Sequence, residues 1–153
     1  MADGSLPAAL LGSADVPVYS VHQPHGRSPF VLLADHAGQA IPAALGNLGL
    51  PAGEIDRHIG WDIGIAGVTR QLTGLLDAWA IEQHYSRLVI DCNRPLASPT
   101  LMPAISDGTT VGANADVSAV QRQARIAAIH APYHGAIAGE LDRRQQAGTP
   151  TVL

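Results

Sequence analysis

The sequence predicts an α/β domain: a mainly parallel, mixed sheet flanked by helices. Three observations lead there. Phe30-Val31-Leu32-Leu33-Ala34 is a short apolar run of the kind found in strands buried on both faces. Ile65, Val68, Leu72 and Leu75 return at intervals of three and four, the period of a helix. Arg87-Leu88-Val89-Ile90 then reads as a further strand. The resulting order of strand, helix, helix, strand, helix, strand is that of a mainly parallel α/β sheet.

Residues 1–28 mix Pro, Gly, Ser and Ala without a sustained period and read as an irregular N-terminal segment, leaving 29–153 as one α/β domain. The first strand runs straight into Asp35-His36-Ala37-Gly38. Ile41, Leu45 and Leu48 predict a helix over residues 40–49, with Pro42 in its first turn and Gly49-Leu50-Pro51 closing it. A second helix spans about Ile63 to Leu76. Strands are expected over Ala78–Glu82 and Arg87–Ile90, and residues 95–115 have loop composition. Val117, Val120, Ala124, Ile129, Ile137 and Leu141 predict a long helix over Asp116–Ala147, broken or kinked by Pro132 and capped by Gly148. Thr151-Val152-Leu153 opens what reads as another buried strand. An uncapped apolar strand end is an aggregation hazard, so the expectation is a truncated chain, the N-terminal part of its domain.

Composition narrows the function classes. A length of 153 residues matches one domain on the prior of ~150, and 46% hydrophobic with 14% charged residues argues against a disordered tail or a polyphosphate-holding chain. All nine cationic residues are arginine, which excludes a Schiff-base lysine and a P-loop lysine. The single cysteine, Cys92, excludes an internal disulfide and fits a reducing compartment. No apolar run approaches the ~20 residues that span a bilayer, and no signal peptide is visible. The expectation is a soluble, cytoplasmic protein with neither nucleic acid nor membrane as partner.

In open α/β sheets, ligands gather at the carboxyl ends of strands. His36 follows the first strand directly, either as a ligand-binding imidazole or as a turn residue capping the next helix. In Tyr85-Ser86-Arg87-Leu88-Val89-Ile90-Asp91-Cys92-Asn93-Arg94-Pro95, a guanidinium beside an amide suits a carboxylate; the plainer alternative is an ion pair in which Asp91 holds Arg94. Asp62 is either a helix N-cap or a metal-bound carboxylate. His130 and His134 stand four apart, a metal-binding spacing, but the His-Glu-x-x-His order is absent and packing roles are preferred. Cys92 has no His beside it and reads as a small buried apolar group.

Asp35-His36-Ala37-Gly38 with Ile41-Pro42, His58-Ile59-Gly60-Trp61-Asp62-Ile63-Gly64, Ser86 through Pro95, and Pro132-Tyr133-His134 together resemble the N-formylglutamate amidohydrolase family. The resemblance runs from about residue 29 to the end, and the Ser86–Arg94 stretch is its most specific part. It implies a phosphorylase/hydrolase-like fold related to zinc carboxypeptidases and aspartoacylases. It also implies zinc-dependent hydrolysis of the formyl or acyl amide of an N-acylated acidic amino acid such as N-formylglutamate, in histidine breakdown. By the resemblance His36 is the first zinc ligand. Asp62 becomes the candidate for the second, since Gln39 stands where the carboxypeptidase pattern has a Glu. Asn93 and Arg94 would grip a substrate carboxylate, and Arg87 would polarise the scissile carbonyl. The family pattern continues with a His-Ser-Phe element and a later Glu as general base, neither within these 153 residues. The competing expectation is a metal-free α/β module that keeps the Arg87, Asn93 and Arg94 carboxylate clamp without hydrolysis.

Overall fold

The sheet is organised around one fully buried strand. In a computed structural model describing residues 9–153, β1 (Tyr19–His22), β2 (Val31–Ala34) and β3 (Trp79–Gln83) lie in the order β1-β3-β2. The β2 and β3 strands are parallel, with Leu32 opposite Ala80, whereas β1 is antiparallel to β3. The helix α1 (Ile65–Leu76) connects β2 to β3, the arrangement that parallel pairing requires. A bridge between Phe30 and Val152 adds the end of the chain beside β2, so the expected last strand is present as a single parallel bridge. A two-stranded hairpin, β4 (Ile105–Ser106) and β5 (Thr109–Thr110), lies apart from this sheet. The fold is mixed α/β, as the pattern predicts.

Several elements differ from the sequence reading. The N-terminal segment expected to be irregular supplies β1. Residues 40–49 form no α-helix but a short 3₁₀ turn, Ala43–Leu45. Gly46, Leu48 and Gly49 all have positive φ, and the Asn47 side chain bonds Gly49 N–H and Leu50 O, so local turn chemistry overrides the apolar spacing.

Arg87-Leu88-Val89-Ile90 is a turn, not a strand, although Leu88, Val89 and Ile90 are wholly buried. Ser86 sets it: its Oγ accepts from Leu88 N–H at 3.1 Å and its carbonyl from Val89 N–H at 2.9 Å. The carbonyls that a neighbouring strand would have satisfied go to side chains instead. Asn114 Nδ2 donates to Leu88 O at 2.8 Å, and Arg125 Nη1 donates to Val89 O at 3.0 Å and to Asn114 Oδ1 at 2.6 Å. Burial pushes the Arg125 pKa down to about 10.

The predicted helix α1 forms, but its buried residues are Thr69 and Thr73. Val68, Leu72 and Leu75 face outward, the first two beside Leu33 and Leu153. The predicted long C-terminal helix is three pieces: α2 (Ala119–Arg125), a π turn (Ile126–His130) and α3 (Ala131–Gln146). Ser118 and Gln121 form a capping box at the start of α2. Pro132 sits in the first turn of α3, where its missing N–H is tolerated because the π turn has already displaced the regular ladder. Buried Arg144 ties α3 to the sheet, donating to Glu140 Oε1 at 2.6 Å and to Ser28 O at 3.0 Å. Among the described residues no helix is long and apolar enough to cross a membrane.

Candidate active site

Three loops meet at the carboxyl ends of β2 and β3. The chain leaving β2 continues alongside the chain leaving β3 through a parallel bridge between Ala40 and Tyr85. Two glycines permit the closeness: a Cβ on Gly38 would overlap the His84 backbone, and one on Gly60 would overlap the Ile55 carbonyl. Gly60 O in turn accepts from Ser86 Oγ at 2.7 Å, and Asp62 N–H donates to His36 O at 3.0 Å. The loops bearing His36, Asp62 and Arg87 are therefore fixed by backbone contacts before their side chains interact.

His36 lies between two carboxylates. Its Nε2 is 2.6 Å from Asp91 Oδ1 and its Nδ1 is 3.4 Å from Asp62 Oδ2. Arg87 spans both acids, donating from Nη1 to Asp62 Oδ1 at 3.2 Å and from Nη2 to Asp91 Oδ2 at 3.3 Å. Asp91, 4% exposed, also accepts Asn93 N–H at 2.9 Å and stands 3.7 Å from Arg94 Nε. Burial alone would raise the Asp91 carboxyl; the His36 hydrogen bond and charge, the Asn93 amide and Arg87 outweigh it and hold it below the ordinary carboxylate value. The Asp91–Arg94 pair anticipated as the plainer alternative is thus one edge of a larger network.

The short bond to Asp91 is made by an acceptor-only oxygen, so Nε2 carries the hydrogen and Nδ1 is the ring nitrogen turned toward Asp62. A lone pair facing a carboxylate oxygen at 3.4 Å repels unless a positive centre, a proton or a cation, lies between them. The spacing suits a metal: donors bound at ~2.0–2.1 Å in a tetrahedron stand about 3.3 Å apart. A carboxylate on the far ring nitrogen is the usual support of a metal-ligating histidine. The Asp62 side chain is free for such a role, because α1 has Gly64 at its N-cap and Asp62 contributes only its carbonyl there. Among the described residues, however, no group of three His, Cys, Asp or Glu side chains is placed to hold an ion together. Gln39 does not join the site; its amide donates to Asp56.

Beyond Asp91 the chain turns so that Asn93 and Arg94 are exposed at the mouth of a 370 Å³ cleft. The cleft is lined also by Leu33, Asp35, His130 and His134. Among the described residues the Asn93 side-chain amide has no hydrogen-bond partner. Tyr133 Oη donates to Asp35 Oδ1 at 2.6 Å, and burial first, then the Asp35 charge, push its phenol strongly upward. Cys92 lies beneath the turn, its thiol pushed up to about 12 by burial. Sequence reasoning missed the Asp35–Tyr133 pair and the role of Asp91. Position alone pointed to both: Asp35 is the first residue after β2, and Asp91 lies four after Arg87 and three before Arg94. His130 and His134 pack against each other, ring centroids 4.2 Å apart and planes tilted by 35°, with each Nε2 against a backbone carbonyl.

A mixed α/β domain with a carboxylate-braced imidazole and a guanidinium at its strand ends is the setting of many hydrolytic sites. The family profile of N-formylglutamate amidohydrolase matches residues 28–153, and the chain belongs to that family. It is similar to the crystal structure of gene product Atu2144 from Agrobacterium tumefaciens, at 34% identity and a TM-score of 0.88, over 92% of this chain and 56% of that one. The chain thus spans little more than half the length of that relative. No curated protein matches it.

Proposed function

We propose that this chain carries the substrate clamp and two metal ligands of a zinc-dependent amidohydrolase. Its substrate would be an N-acylated acidic amino acid such as N-formylglutamate. The observation that carries the reading is His36, braced by Asp91 at 2.6 Å with its other nitrogen 3.4 Å from Asp62 and Arg87 across both acids. His36 Nδ1 and Asp62 Oδ2 are the donors that would hold zinc. A zinc ion bound there supplies Lewis acidity and makes a water molecule acidic near neutral pH.

The chain's own residues do the remaining work. Arg94 and the free amide of Asn93 orient the substrate through its carboxylate, a planar charge-assisted contact. Arg87, 28% exposed at its side chain, is held against Asp62 and Asp91, where its guanidinium would stabilise negative charge developing on the amide oxygen. Asp91 keeps the His36 ring in one tautomer and Arg87 in one orientation.

A second reading, a carboxylate-binding module without hydrolysis, is favoured by the absence of a three-donor group among the described residues. Zinc content and formate release, measured on the full natural gene product, separate the two. The enzyme reading expects stoichiometric zinc and deformylation of N-formylglutamate, both lost in His36→Ala. Ligand binding with neither zinc nor formate release would leave the binding module.

A further inference from the structure

Helix α3 reaches the clamp through two imidazoles that the proposed chemistry leaves unused. His130 closes the π turn and His134 lies one helical turn later, their rings in contact with centroids 4.2 Å apart and planes tilted by 35°. His134 Nε2 is 2.9 Å from Cys92 O, and His130 Nε2 is 3.3 Å from Arg94 O. A carbonyl only accepts, so each Nε2 carries a hydrogen and donates it to the turn. The two carbonyls belong to the residues on either side of Asn93. The same turn is held from beneath by Asp91, whose Oδ1 accepts Asn93 N–H at 2.9 Å and whose carbonyl accepts Arg94 N–H at 3.1 Å. Burial pushes His130 below its ordinary value, against the opposing pull of its hydrogen bond to Arg94 O.

We propose that His130 and His134 are positioning residues, a pair of imidazole donors at the end of the π turn and on α3 that brackets the 92–94 turn and thereby aims Asn93 and Arg94 at the substrate carboxylate. This inference rests on the clamp reading above. It makes no use of the metal, so it can be tested by binding alone. The π turn has a place in it: one extra residue per turn sets the phase that brings both rings onto the clamp.

Two measurements on the full gene product test it. Long-range ¹H–¹⁵N spectra at neutral pH should show both imidazoles as Nε2–H tautomers; an Nδ1–H tautomer for either ring overturns the inference while leaving the clamp intact, and this needs no variant. Calorimetric affinity for N-formylglutamate should fall about fivefold in His134→Leu, the cost of a lost part-buried hydrogen bond, and stay within about twofold of wild type in His134→Gln, which keeps a donor there. Asn93→Ala, run alongside, should also weaken binding. Unchanged affinity in His134→Leu with weakened affinity in Asn93→Ala overturns the positioning role and spares the clamp. Unchanged affinity in both, or no binding by wild type, overturns the clamp and this inference with it.

Discussion

Replacing Asp91 with Asn keeps the side chain's shape and removes its charge. The carboxylate accepts from His36 at 2.6 Å, from Asn93 N–H at 2.9 Å and from Arg87 at 3.3 Å, at 4% exposure. The amide oxygen of Asp91→Asn still serves His36 and Asn93, but those bonds lose their charge assistance, a difference of about 1 kcal/mol. Its NH₂ then faces the Arg87 guanidinium, donor against donor, so that contact is lost for about 1–2 kcal/mol more. The total is about 2–3 kcal/mol, reduced somewhat because a buried charge is no longer desolvated. In a chain this long, that lowers Tm by roughly 5–10 °C.

Thermal unfolding of wild type and variant near neutral pH measures the loss. Its pH dependence follows from the depressed Asp91 carboxyl: the carboxylate's contribution is complete above the ordinary value of ~3.9 and disappears as pH falls through the lower folded value. The two proteins should therefore begin to approach one another in Tm below about pH 3.9 and converge only as pH falls through the lower folded value. A variant as stable as wild type at neutral pH would refute the idea that Asp91 charge organises the site.

Three further outcomes follow from the packing. Gly38→Ala drives a Cβ into the His84 backbone and should destabilise by roughly 3 kcal/mol in urea unfolding; a neutral effect would mean the loop carrying His36 is not pressed against the β3 exit. Cys92, with its thiol pushed up to about 12, should resist a thiol reagent in the folded protein at mildly alkaline pH and react fully in denaturant. His130, held below its ordinary value by burial, should make wild type lose stability as pH falls below ~6.5, because the unfolded chain takes up that proton first. His130→Gln should flatten that part of the curve, and an unchanged slope would show that the ring titrates normally.

The chemistry-bearing positions were more legible in the sequence than the elements that carry them. An apolar run ending in Asp35-His36 is a local signal, and β2 delivers it to a strand end. His36, Asp62, Arg87, Asn93 and Arg94 could be singled out by residue type and placement, and the fold brings the first three into direct contact. The roles assigned to them stay with the proposal. What escaped the sequence was decided by tertiary partners. Three apolar residues at 88–90 look like a strand; whether they form one depends on what satisfies their carbonyls, and Asn114 and Arg125, more than twenty residues away, do so for Leu88 and Val89. The period of α1 announced a helix, yet which face is buried was decided by close approach to the sheet, where Thr69 and Thr73 fit. At 40–49, three positive-φ residues outweighed a good apolar spacing.

The central claim is that His36 and Asp62 share one cation beside the Arg87 and Asn93–Arg94 cluster. Anomalous scattering at the zinc edge, from crystals grown with equimolar zinc, addresses it directly. The account predicts a peak between His36 Nδ1 and Asp62 Oδ2 that vanishes in Asp62→Ala. Zinc bound elsewhere, for example at His130 and His134, with no density between that nitrogen and that oxygen, would contradict it.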